Sequence, residues 1–327
     1  MTKSRGVADW GHYPPVNNNI LINPSFTVKQ RGAVIDHNEE SYGPDRWFIR
    51  GVNGTKGTMS QSTTDSSTGV NKLVVNHRNA TESAYVKQRI ETVNLLGLYG
   101  KELTFSFSYS DNGGTKVPEV RVISYDSSDT VKSLLGASNT ITSLGNNRWS
   151  CTFTLTTDDG TIPALVEKGL QVAIYPNSDS SNNALAAPGG WSVWETKLEV
   201  GSVVTPFIAR SHGDELALCQ RYYEVDNPAT PTSFGGAMVG QAYHPENGSG
   251  NPMNRDGPFQ PYKVNKRASA TITTYTYYGV SGAVSPVPTG TADTNINVRT
   301  TTSGFQVSSS TYRKFHVWFG WTAEAEL

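Results

Sequence analysis

Cysteine is nearly missing from these 327 residues: Cys151 and Cys219 are the only two. Two thiols cannot make a disulfide framework for a chain of this length. Cys151 alternates with Trp149, Phe153 and Leu155 in "WSCTFTL" and reads as a small buried apolar residue, while Cys219 lies beside Leu216 and Leu218. Charge is sparse as well. Only 17% of residues are charged, and 27 basic against 28 acidic residues leave a formal net charge of −1. That balance argues against a non-specific nucleic-acid binder, which needs a basic excess to displace counterions, and against a polybasic membrane patch. No apolar run approaches the roughly 20 residues that span a bilayer, and "MTKSRGVADWGHYPPVNN" lacks the apolar centre of a secretory signal. The expectation is synthesis in a cytosol, with no membrane insertion and no nucleic-acid partner. Catalytic signatures are missing too: there is no G-x-S-x-G, no H-E-x-x-H and no C-x-x-C. The six histidines are scattered, without metal-ligand spacing. Glu39-Glu40 and Asp158-Asp159 are adjacent acids, and neighbours on a strand point to opposite faces. Neither pair forms the facing acid and base of a glycoside hydrolase. We expect no enzyme.

What is present is a succession of short alternating strands. "LTFSFSYS" sets Leu103, Phe105, Phe107 and Tyr109 on one face and hydroxyl residues on the other, the pattern of an antiparallel strand with one wet face. "EVRVISYD", "GLQVAIYP" and "WSVWETKLEV" behave alike, and clusters such as "SDNGGTK" and "TDDGT" separate them as turns. The fold class is all-β: an N-terminal jelly-roll sandwich, a short connecting helix and a C-terminal β-sandwich. Residues 1–16 form a polar arm with Trp10, Tyr13, Pro14 and Pro15, the prolines favouring extended geometry. The sandwich runs over 17–207, the connecting helix and linker over 208–231, and the second sandwich over 232–327. In the last strand Phe315, Val317, Phe319 and Trp321 share a face. In the connection "ELALCQRYYEV" is the one helical stretch. Ser211 is its N-cap, Asp214 and Glu215 suit its first turn, and Leu216, Cys219 and Tyr223 make a narrow apolar stripe beside Tyr222.

Three stretches carry a resemblance. "NNNILINPSFTVKQRG" (17–32) with "YGPDRWF" (42–48), "GGWSVWETKLEVGSVVTPFIARSHGDELALCQRYY" (189–223) and the C-terminal "WTAEAEL" resemble phage tail-fibre and virion appendage proteins with a carbohydrate-binding-module-like jelly roll. The resemblance implies opening and closing strands that meet in one sheet. It also implies a homotrimer, in which the helix of 215–223 packs on its own domains or about a three-fold axis. The arm then anchors the chain to other virion proteins of tail or capsid. A structural calcium would lie near Asn23, Ser25 and Glu199, three donors where calcium takes six to eight; no other cofactor is implied. The chain would reside in the virion and meet a host cell-surface polysaccharide.

Sugars offer apolar C–H faces ringed by hydroxyls, so their sites pair an aromatic platform with amide, carboxylate or guanidinium groups. Tyr243, Phe259 and Tyr262 flank a long polar loop that carries Asn251 and Arg255. Trp47 and Trp149 read as core. Trp191 and Trp194 are at odd spacing and face opposite ways, so one of them is free for an interface or ligand. We take Tyr243, Asn251, Arg255, Phe259, Tyr262 and Trp191 as the glycan site. The function expected is a tail-fibre or spike adhesin. The alternatives are a capsid or tail decoration protein and, behind it, a polysaccharide depolymerase.

Overall fold

The computed structural model describes residues 18–31, 34–37, 41–51, 57–62, 71–77, 84–111, 117–135, 141–176, 190–226, 240–242, 259–276, 278–285, 292, 294, 296–309 and 317–327. Among the described residues thirteen strands precede the helix: β1 (Val34–His37), β2 (Ser41–Tyr42), β3 (Phe48–Gly51), β4 (Gly57–Ser62), β5 (Lys72–His77), β6 (Ala84–Glu91), β7 (Glu102–Asp111), β8 (Glu119–Tyr125), β9 (Val131–Leu135), β10 (Thr142–Gly145), β11 (Arg148–Thr154), β12 (Lys168–Tyr175) and β13 (Gly190–Val200). They form a seven-stranded sheet in the order β1-β4-β5-β13-β7-β11-β10 and a six-stranded sheet in the order β2-β3-β6-β12-β8-β9. The chain passes repeatedly from one sheet to the other, which is jelly-roll wiring. Among the described residues every pairing of these strands is antiparallel. Inward positions alternate along each strand, so Val86 and Ile90, Phe105 and Phe107, Val120 and Val122, and Leu170, Val172 and Ile174 fill one core with Trp47 and Trp191.

The strand Glu102–Asp111 departs from the expected wet face. Thr104, Ser106 and Ser108 are buried along with the apolar set. β7 lies mid-sheet between β13 and β11, and Arg148 arches over it, donating to Ser106 Oγ at 2.8 Å. Both cysteines are free and buried.

The helix α1 (His212–Gln220) starts as the sequence foretells, with Ser211 Oγ accepting from Asp214 N at 3.2 Å. It ends earlier than expected. Tyr223 is not on the helical stripe; it opens a strand, β14 (Tyr223–Val225). The helix buries Glu215, Cys219 and Gln220, with Leu216 only partly covered. β14 belongs to the second unit, with β15 (Gly240–Ala242), β16 (Gln260–Pro261), β17 (Thr271–Tyr275), β18 (Ile296–Thr300), β19 (Gly304–Ser309) and β20 (Val317–Glu324). β20 pairs with β14, β15 and β17, while β16, β19 and β18 make a second small sheet. Phe305 and Val307 pack on Phe319, Trp321 and Ala323 between them. Phe319 and Trp321 do share the buried face; Phe315 lies outside the described residues.

Helix and C-terminus tie this unit to the sandwich. Cys219 and Tyr222 pack on Ile22 and Val28, with Leu216, Leu218 and Leu327 alongside. Glu91, fully buried on β6, accepts from Tyr222 Oη at 2.8 Å and pairs with Arg221 and Arg267, each at 3.1 Å. Arg46 pairs with Glu326 and lies 3.5 Å over the Tyr222 ring. Arg31 stands 3.3 Å from Glu326 and 3.6 Å over the Tyr223 ring. The stretches that carry the sequence resemblance therefore converge on one junction. Arg31, Arg46, Arg221 and Glu326 of these stretches hold the two units together.

Candidate functional site

The outer face of the six-stranded sheet is built by register. Position 86 of β6 pairs with 174 of β12, and 120 of β8 with the same 174. Val86, Ile174 and Val120 point inward, so their neighbours Tyr85, Tyr175 and Glu119 point out together. Tyr85 and Tyr175 stack, with centroids 4.3 Å apart and planes at 18°. Arg50 is Tyr85's partner on β3 and is exposed. On the other side Arg121 lies 4.3 Å over Tyr175, its side chain 38% exposed, with Nε donating to the buried carboxylate of Glu119. The next row down reads Phe48, Lys87, Ala173, Arg121 across four strands. The Lys87 ammonium sits 4.6 Å from the Phe48 ring and 5.8 Å from the Tyr85 ring.

Below this the face turns more polar. Gln171 Oε1 accepts from Arg89 Nε and Tyr125 Oη, both at 3.4 Å. Lys168 lies 4.8 Å over Tyr125 and 2.9 Å from Asp129. It borders an open cleft of about 500 Å³ lined also by Ser127, Ser128, Glu167, Arg267 and Leu327. From Lys168 to Tyr175 the strand spans roughly 23 Å, which sets the length of the strip.

Electrostatics fix the protonation states. Burial, then the neighbouring Tyr85, raises the Tyr175 hydroxyl well above its ordinary value, so it is a neutral donor. Burial alone would lower Arg121, but the hydrogen bond to Glu119 and the adjacent tyrosines hold it above its ordinary value and charged. Tyr175 is thus held between the Tyr85 ring and the Arg121 guanidinium, and the half-buried pair presents its ring edges with hydroxyl and guanidinium donors beside them.

The residues singled out from sequence fare differently. Tyr243, Asn251, Arg255, Trp10, Tyr13, Pro14 and Pro15 lie outside the described residues. Phe259 is exposed, and its ring lies against Gly304. Tyr262 is no platform: it is buried on Phe305 and Trp321 at ring distances of 5.8 and 6.0 Å, because the hydrophobic face of the second unit needs it there. Trp191 is corrected likewise. It is 0% exposed and packs on Tyr109 inside the sandwich, and Trp194 takes the opposite face, under the Lys72 ammonium at 4.6 Å. Leu216, Cys219, Tyr222 and Tyr223 serve the junction within one chain.

The calcium donors do not fit a cation. Glu199 accepts from Asn18 and from Thr205 N and pairs with the Lys197 ammonium at 3.1 Å, which already supplies positive charge. Burial would raise this carboxyl, but those bonds outweigh it and hold it below its ordinary range. Asn23 Oδ1 accepts from Val28 N, and its amide donates to the Val28 and Asp45 carbonyls. Ser25 is half-buried in the same turn. Among the described residues no group of three or more His, Cys, Asp or Glu is placed to hold a metal, and no helix is long and apolar enough to cross a membrane.

No family model and no curated protein sequence matches the chain. Solved structures with a similar sandwich include the enzymatically active domain of bacteriophage CBA120 tailspike protein 4, at 12% identity and TM-score 0.31 over 56% of this chain and 22% of that one. The chain thus spans about a fifth of that tailspike's length. They also include the C-terminal family 22 carbohydrate-binding module of Clostridium thermocellum Xyn10B, at 12% identity and TM-score 0.32 over 59% of this chain and all of that one. A third is the xylan-binding domain of Paenibacillus barcinonensis Xyn10C, at 9% identity and TM-score 0.31 over 58% and 98%.

Proposed function

We propose that this protein is a non-catalytic glycan-binding appendage that takes a polysaccharide along the outer face of the six-stranded sheet. One observation carries the reading: the half-buried Tyr85–Tyr175 stack on the outer sheet face, edged by Arg50 and Arg121. The outward edges of the stacked tyrosines give apolar contact at little entropic cost, and the arginines give direction. The sequence resemblance of 17–48 and 189–223 supports placing the appendage on a phage virion as a tail-fibre or spike adhesin for a host surface glycan. It also supports a homotrimer, in which weak single sites add through avidity.

The test is binding of the purified protein to intact host cells and to an array of bacterial surface glycans, with its mass measured by light scattering. Tyr85→Ala and Tyr175→Ala should each weaken binding at least ten-fold, about 1.4 kcal/mol, with the melting temperature kept. Binding indifferent to both substitutions would move the site elsewhere. A folded oligomer that binds nothing would favour particle decoration.

A further inference from the structure

The cleft at the Lys168 end of β12 is walled by both units. The sandwich supplies the turn 127–129 with Glu167 and Lys168, and the second unit supplies Arg267, Glu326 and Leu327. A volume of about 500 Å³ is that of a small-ligand site, and such sites gather where units meet. The charges on the second unit's side are spent. Arg267 pairs with Glu91 and donates to the carbonyls of Val166, Ala325 and Glu326, and the Glu326 carboxylate pairs with Arg31 and Arg46. What is left for a ligand comes from the sandwich. Its turn is firmly held: the buried Asp126 carboxylate accepts from Ser128 N and Thr130 N, both at 2.8 Å. Asp129 takes the left-handed backbone, at φ 61°, that aspartate tolerates. Its side chain is 65% exposed, and Oδ2 accepts from Lys168 Nζ at 2.9 Å. Glu167 is fixed through its backbone, where its carbonyl accepts from Thr92 N and Oγ1 and its own N donates to Ala164 O. Its exposed carboxylate, like the exposed Ser128 hydroxyl, has no hydrogen-bond or ion-pair partner among the described residues.

The sandwich side therefore offers one ammonium against two carboxylates, a net charge of −1, with serine hydroxyls that donate or accept. A carboxylate or phosphate on the ligand would be repelled by Asp129 and Glu167. A cation would meet Lys168, and no group of three or more His, Cys, Asp or Glu among the described residues is placed for a metal. An uncharged polyol fits: its hydroxyls donate to the carboxylates, and its oxygens accept from the ammonium and the serine. We infer that this cleft is a second subsite of the glycan path and takes an uncharged sugar residue, held by Glu167 and Asp129 as acceptors and by Lys168 and Ser128 as donors. The inference rests on the glycan reading of the sheet face and adds a subsite and the charge of the residue that fills it. Tyr175 and Lys168 stand at opposite ends of β12, so one polymer laid along that strand reaches both the tyrosine pair and the cleft.

The experiment takes each bacterial surface glycan that the wild-type chain binds on an array and oxidises its primary alcohols to carboxylates, leaving the linkages unchanged. Titration calorimetry at low salt then compares native and oxidised polymer on the wild type, Glu167→Ala and Ser128→Ala, both substitutions at exposed positions. Affinity for the native polymer should fall about ten-fold with Glu167→Ala and about three-fold with Ser128→Ala, the melting temperatures being kept. Oxidation should cost the wild type about ten-fold, and Glu167→Ala should narrow that gap by removing one of the repelling charges. Native-polymer affinity unchanged in both variants overturns the subsite and leaves the glycan reading standing. Oxidised polymer bound as tightly as native overturns the uncharged assignment. A folded wild-type chain that binds no glycan overturns both the inference and the reading beneath it.

Discussion

At Asp45 burial outweighs the attraction of Arg31 and the hydrogen bonds from Gln30, and the carboxyl is pushed up to about 6 from an ordinary 3.8. The folded chain therefore holds this proton more tightly than the unfolded one. The stability it brings is fully present below pH 3.8 and is lost as pH rises through 6, a total of about 3 kcal/mol. Asp45→Asn removes the titration, so the denaturant midpoint of the variant should rise relative to wild type between pH 4 and pH 7. A constant difference across that range would mean that Asp45 does not titrate there. Lys266 and Glu224 pose the opposite case. Both are 0% exposed, with Nζ 2.6 Å from Oε2. Lys266→Met leaves the buried Glu224 carboxylate without its countercharge, with only the Lys263 backbone N–H still donating to it, and should cost about 3–5 kcal/mol. Adding Glu224→Leu should recover most of it, measured by urea unfolding of the single and double variants.

Among elements, the helix shows what sequence can and cannot tell. Its N-cap was legible because Ser211 and Asp214 act within four residues, and Ser211→Ala should cost about 1 kcal/mol in urea. Its end was not, because Tyr223 leaves the helix to pair with Glu324, a hundred residues away. Strand alternation likewise gave the two-sheet architecture and the burial of Trp47, Phe105 and Phe107. It did not give the site. Tyr85 and Tyr175 sit in unremarked polar positions of their strands, "AYVKQRIE" and "KGLQVAIY", ninety residues apart. Only the register of β6 against β12 stacks them. The aromatic residues that did attract notice, Trp191 and Tyr262, stand out by size, and size draws them into cores. Tight element contact also yields a prediction at Gly304. A Cβ there would lie 2.3 Å from the Phe259 ring and 2.4 Å from the Gln260 carbonyl. Gly304→Ala should part β16 from β19 and lower the melting temperature, whereas Phe259→Ala in the same background should restore part of the loss.

For the molecule as a whole, the buried charges between the units decide whether they melt together. Glu91, Arg46 and Glu326 are all buried and paired across the junction. Glu91→Gln removes the charge that neutralises Arg221 and Arg267, and calorimetry should then resolve two unfolding transitions where the wild type shows one. A single transition in both would mean that apolar packing of Ile22, Val28, Cys219 and Tyr222 suffices. The geometry of this junction has a mechanical side. Arg267 bonds carbonyls of the C-terminal segment and also Val166 of the sandwich, while Leu327 O accepts from Tyr42 and Arg89. Arg89 lies on the same sheet face as the tyrosine pair. A pull applied to the second unit is therefore delivered into β6 and its neighbours, the strands that carry the tyrosine pair. Tension at one end is felt at the other as shear along β6 and β12, the direction in which antiparallel strands share load over all their hydrogen bonds at once.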